Sequence, residues 1–90
     1  MNPFDVIKRT EKLYGMKSGT LTSANRHKAV SEARAVAMYV IRQLTSYSLP
    51  EIGEHFNKDH SSVWASCLKI VKSKDVRLWG VVDKLMREMS

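Results

Sequence analysis

Apolar side chains recur every three to four residues along almost the whole chain, and no useful length alternates apolar with polar positions. That spacing is the helical period. It predicts five or six helices and no sheet. Asn2-Pro3-Phe4-Asp5 reads as a helix start: Asn2 as N-cap, Pro3 in the first turn, and Asp5 near the positive end of the dipole. Phe4, Ile7, Thr10/Glu11 and Tyr14 follow on one face, and Gly15 offers a stop. Residues 15–30 are rich in Gly, Ser and Thr and read as a loop with one short turn near Leu21. Ser31 is the expected cap of a second helix, with Ala33, Val36/Ala37, Val40 and Leu44 inward and an end near Thr45 or Ser46.

The next stretch is punctuated more sharply. Ser48-Leu49-Pro50-Glu51 is an S-x-x-E capping box with proline in the first turn. Leu49, Ile52 and Phe56 face inward on a short helix, and Asn57-Lys58-Asp59 breaks it. Asp59 caps a further helix through Val63, Cys67 and Ile70/Val71 to about Lys72. Asp75 opens the last helix, with Val76, Trp79, Val82, Leu85/Met86 and Met89 on one side. Short helix, three-residue break, longer helix is the helix-turn-helix layout, here spanning residues 48–73.

Composition narrows what such a layout serves. Ninety residues make one small domain, 43% hydrophobic and 27% charged, as an ordinary globular chain is. Fifteen Lys and Arg against nine Asp and Glu leave a net charge of +6. That excess favours a polyanionic partner, nucleic acid before an acidic membrane surface. A single cysteine, Cys67, excludes an internal disulfide, and no signal-peptide pattern opens the sequence, so the expected compartment is the cytoplasm. No apolar run approaches the ~20 residues that span a bilayer, and no membrane association is expected.

Enzyme chemistry finds little support. No phosphate-binding glycine loop is present, so no nucleotide cofactor is expected, and three dispersed histidines with one cysteine give no zinc set. Asp59-His60-Ser61 contains the letters of a hydrolase triad. Consecutive helical residues fan out by about 100°, so they cannot relay a proton to one another. Trp64 and Trp79 lie at helical spacing with Leu68 and Val76 and read as core rather than stacking platforms. Lys84 and Arg87 stand beside Asp83 and Glu88 and read as a solvated, nearly neutral face.

In a helix-turn-helix the second helix enters the major groove by its N-terminal residues. Here these are His60, Ser61 and Ser62, with Lys58 just before and Lys69 and Lys72 further along. The string Leu44-Thr45-Ser46-Tyr47-Ser48-Leu49-Pro50-Glu51-Ile52-Gly53, then Phe56, then Lys58-Asp59-His60-Ser61-Ser62-Val63, closely resembles the C-terminal DNA-binding domain of the bacterial replication initiator DnaA. That family carries a helix ending in LT, then SLPEIG-x-x-F, then RDHTTV. The resemblance extends weakly over almost the whole chain and implies the all-helical, Trp-repressor-like fold.

It also implies roles. Asp59, His60, Ser61 and Ser62 fall on the block that opens the family's recognition helix, with His60, Ser61 and Asp59 as base contacts. Arg26 falls on an arginine of the loop that reaches into the minor groove, where a narrow groove attracts guanidinium. Lys58, Ser62, Arg34, Arg42, Lys69 and Lys28 are the expected phosphate contacts, and Leu49 and Pro50 present backbone near phosphate. Asp59 reads equally as a cap. The implied partner is double-stranded DNA, bound by a monomer at a short asymmetric site, in a bacterial or phage-encoded protein of the nucleoid. Two other readings stand beside it: a phage or mobile-element regulator using the same fold on another site, and a protein-interaction module that has lost DNA.

The sequence departs from the family pattern in several places. Only Asn57 stands where two glycines are usual, so the turn is one residue shorter. Serine replaces threonine at 61 and 62, removing methyls that pack on thymine. Asn25, Glu32 and Ala33 carry less positive charge than the family does there. The initiator's ATPase domain is not in this sequence, so the expectation is a stand-alone or excised domain.

Overall fold

The computed structural model describes residues 2–90, which form five α-helices and, among the described residues, no strand. They are α1 (Pro3–Leu13), α2 (Lys28–Leu44), α3 (Leu49–Phe56), α4 (His60–Lys72) and α5 (Val76–Met89). The all-α class expected from the periodicity is what the chain adopts. None of these helices is long and apolar enough to cross a membrane.

α2 is the axis of the fold, and each of the other four helices packs on it. Its sequence explains why. Ala33, Ala35 and Ala37 let neighbouring helices approach closely, while Val30, Val36, Met38, Val40 and Ile41 fill the space between. From Ala33 to Ile41 almost the whole circumference is buried, apart from Tyr39. The expected stripe of Ala33, Val36/Ala37, Val40 and Leu44 is therefore one side of a fully enclosed helix. Val6 and Ile7 of α1, Ile52 and Phe56 of α3, Val63, Cys67 and Ile70 of α4, and Leu78, Val82 and Leu85 of α5 close the core around it.

Most helix ends lie where their local chemistry puts them. The Asn2 side chain accepts from Phe4 N, and Gly15, at φ 67°, ends the first helical stretch. The Ser48/Glu51 capping box is complete in both directions, with Ser48 N donating to Glu51 and Glu51 N donating to Ser48. Asp75 accepts from Arg77 N and Leu78 N.

One start differs. α2 begins at Lys28 with His27 as its cap, whose Nδ1 accepts from Ala29 N at 3.2 Å, and not at Ser31. Val30 is buried, so four more residues, Lys28 to Ser31, are drawn into the helix by packing. Faces also differ in detail. Phe4 and Val76 lie outward, Val76 85% exposed, and Val6 and Leu78 take the inward positions instead. Glu32 of α2 ties in the ends of two other helices: it accepts from the hydroxyl of Tyr14, the residue that caps α1, and from Arg77 of α5.

Candidate nucleic-acid interface

The turn between α3 and α4 sets how α4 projects. α3 ends on Asn57 in the left-handed region at φ 56°, which asparagine tolerates better than most residues. Lys58 N then donates back to Gly53 O at 2.9 Å. This brings the Lys58 carbonyl directly against Gly53, where a Cβ would overlap it. Gly53 thus admits the turn by having no side chain. Its position in mid-helix, where glycine is costly, is the sequence signal of a close approach.

α4 then opens on Asp59, whose Oδ1 accepts from Ser62 N at 2.8 Å. That hydrogen bond holds the Asp59 carboxyl below its ordinary value, with a smaller contribution from the nearby His60. Glu51 is lowered likewise by its bond from Ser48 N–H. Both groups bind protons less readily in the folded state than in the unfolded one. Their stabilisation is therefore complete above the unfolded carboxylate values, about 4, and is lost as pH falls through the folded ones. Asp59→Asn/Glu51→Gln keeps cap-capable oxygens but removes both titrations. Its thermal unfolding, followed by circular dichroism, is expected to change less than the parent's between neutral pH and about pH 3.

Beyond the cap, His60, Ser61 and Ser62 are all exposed on the first turn of α4. The side chains of His60 and Ser61 make no hydrogen bond within the described residues. Lys58 and Ser62 line a groove with Arg34, Ser31, Met38, Ala65 and Ser66, of about 290 Å³. Lys28 and Lys69 line a second concavity together with Glu32, Ser73 and Asp75. Arg42 lies apart from both, on the other flank of α4 beside Trp64. Leu49 and Pro50 form the first turn of α3. Of this pair only Leu49 brings a free backbone donor, since proline has no N–H.

Arg34 is the residue whose surroundings the local pattern did not reveal. It is only 6% exposed. Its Nε donates to Leu21 O at 2.9 Å, and Nη2 donates to Ser23 O at 3.1 Å and Asn25 O at 3.0 Å. Burial lowers its pKa from the usual guanidinium value. Buried Glu11 grips the same loop from the other side, accepting from Gly19 N and Leu21 N. Leu21 itself is fully buried. The loop is thus fastened through the side chain, N–H and C=O of one residue, and Arg26 lies exposed just beyond it, ahead of the His27 cap. A buried polar pair, Glu11 in α1 and Arg34 in α2, at positions otherwise on inward faces was the only hint available in the sequence.

Trp79, expected in the core, is half-buried against it, edge-on to Tyr39 with Nε1 donating to Ser73 O. Trp64 is not: it stands 52% exposed on α4. Cys67 is buried, and that burial pushes its thiol pKa up. Arg87 pairs with Asp83, and Glu88 pairs with Arg9 across to α1, so the expected neutral face of α5 is realised through actual ion pairs.

Residues 3–70 match the family described as the bacterial dnaA protein helix-turn-helix. The chain belongs to this family. The DnaA match covers α1 to α4 up to Ile70. Over 87 residues the chain is 37% identical to the chromosomal replication initiator protein DnaA of Deinococcus deserti, covering 94% of this chain and 19% of that protein. It is 36% identical over 88 residues to DnaA of Caulobacter vibrioides, covering 94% and 18%. Against DnaA of Thermus thermophilus it is 39% identical over 70 residues, covering 77% and 16%. The chain therefore spans less than a fifth of the length of these DnaA relatives.

Proposed function

We propose that this domain binds double-stranded DNA sequence-specifically, as a monomer at a short asymmetric site resembling the initiator's origin box. α4 lies in the major groove and the loop ahead of α2 in the adjacent minor groove. One observation carries the reading. Arg34, which fastens the loop bearing Arg26, also walls the groove that Lys58 and Ser62 line at the start of α4. The minor-groove arm and the major-groove helix are thereby built onto one residue.

In this reading His60 and Ser61 address base edges. Asp59 holds the cap with Oδ1 and offers Oδ2 to a base amino group such as cytosine N4. Arg26 enters the minor groove. Lys58, Ser62, Arg42, Lys28 and Lys69 hold phosphates, and Leu49 donates its N–H, with Pro50 fixing the backbone beside it. Arg34 acts chiefly by placing Arg26. The work is binding, without catalysis or a nucleotide cofactor, carried out in the cytoplasm on the nucleoid. Its place is replication-origin recognition or regulation at such sites.

Selection of duplexes from a random pool tests this. A short non-palindromic site is expected, with log K falling against log salt at a slope of about −5 if about six phosphates are neutralised. Arg26→Ala and His60→Ala are each expected to weaken binding about tenfold. Absence of any bound duplex at moderate salt, or unchanged affinity in both variants, overturns the reading.

A further inference from the structure

α4 buries Val63, Cys67 and Ile70 against the core. Trp64, Leu68 and Val71 fall beside that buried face, with Trp64 one turn beyond His60 on the same side of the helix. Trp64 is 52% exposed and Val71 is also open to solvent. α2 completes the flank with Tyr39, Arg42 and Gln43, giving a groove of about 250 Å³. Arg42 is its one charged lining residue, and no carboxylate lines it. The two indoles of the chain are treated differently. That of Trp79 is anchored through its N–H, whereas the Trp64 N–H has no partner among the described residues.

We propose that Trp64 is a specificity-determining DNA contact, its ring packing on a thymine methyl and the adjoining sugar while Arg42 holds the neighbouring phosphate. The inference rests on α4 being the recognition helix. Three features favour DNA as the occupant. Trp64 stands only one helical turn from His60, at the exposed N-terminal end of α4. Its only formal charge is positive, matching phosphate. And the first turn lacks apolar surface: Ser61 and Ser62 have no methyl to meet thymine, so an exposed ring one turn on supplies the contact that serine cannot make. The four residues from His60 to Trp64 advance about 6 Å along α4. For a helix lying along the groove that is about two base-pair steps at 3.4 Å each. Trp64 then reads further into the site than His60.

Trp79→Phe leaves Trp64 as the single indole, and circular dichroism checks that this variant is folded. With the duplex selected by the parent protein, Trp64 emission is expected to be quenched and its access to acrylamide reduced. Trp64→Ala and Trp64→Leu are expected to bind that duplex about tenfold more weakly, with binding to an unrelated duplex changed less than about twofold. Reselection is expected to lose a thymine preference at one position. If the parent selects no site, the DNA reading itself fails and takes this inference with it. If the parent selects a site but both Trp64 variants keep its affinity and base preference, Trp64 is not a specificity contact and the groove serves a protein partner instead.

Discussion

Arg34→Met unfastens the loop ahead of α2 and weakens DNA binding as much as removal of Arg26 does, without altering a group that reads a base. Methionine replaces the stem of the arginine but supplies no donor. The carbonyls of Leu21, Ser23 and Asn25 lose their hydrogen bonds together, and Leu21 is buried where water does not replace the missing partner. Charge-assisted bonds of this kind contribute about 1.5–3 kcal/mol each, and three served by one planar group are not independent. A loss of about 3 kcal/mol in urea unfolding is therefore expected. Lysine restores little, because a single ammonium does not match carbonyls spread around a guanidinium fork. In the proposed complex the loop would then have to be ordered as Arg26 enters the minor groove, and that ordering opposes binding. A double-mutant cycle separates this from a direct phosphate contact. If Arg34 works by placing Arg26, Arg34→Met/Arg26→Ala binds DNA no worse than the weaker single variant. Additive losses instead identify Arg34 as a phosphate ligand in its own right. Glu11→Ala is the matching lesion on the other side of the loop, since it leaves Gly19 N–H and Leu21 N–H without their acceptor.

The contrast between this loop and the helix-turn-helix shows what a local pattern carries. Ser48 with Glu51, Asp59 with Ser62 N, and Asn57 at positive φ are interactions within three or four residues, and the sequence around them is enough to read them. The family string lies over those same residues, which is why the helix-turn-helix was legible in outline. Arg34 reaches back 9 to 13 residues to its carbonyl partners, and nothing in helical periodicity encodes that reach. Periodicity also leaves open which of two adjacent apolar residues turns inward. Phe4 and Trp64, the larger rings, stand outward, while the nearby Val6 and Val63 are fully buried. The start of α2 follows the same logic. Both His27 and Ser31 are competent caps, and burial of Val30 decides between them.

Gly53→Ala is expected to destabilise the domain by about 2 kcal/mol, against the direction that helix propensity alone dictates. Alanine in a helix interior is favoured over glycine by about 1 kcal/mol, and Gly53 lies inside α3 with no positive φ to protect it. Its obstacle is tertiary. An added Cβ would meet the backbone carbonyl of Lys58 and lie 3.4 Å from Val63 Cγ2. The atom in the way is main chain, held by the Lys58 N to Gly53 O bond at 2.9 Å, so no side-chain rotation relieves the overlap. The linker also has little slack to bow outward, since only Asn57, Lys58 and Asp59 join α3 to α4. Relief must come from moving α4 away from α3, at an overpacking cost of about 1–3 kcal/mol on top of the forgone propensity gain. That movement retilts the helix bearing His60 and Ser61, so affinity for the selected duplex falls as well. Gly80→Ala is the internal control. Gly80 is also in a helix interior, but an added Cβ there has nothing within 4 Å. It is expected to stabilise by roughly 0.5–1 kcal/mol and to leave DNA binding unchanged. Opposite signs at the two glycines place the requirement in the α3–α4 crossing. If both substitutions stabilise alike, the close approach of Lys58 to Gly53 does not constrain the recognition helix.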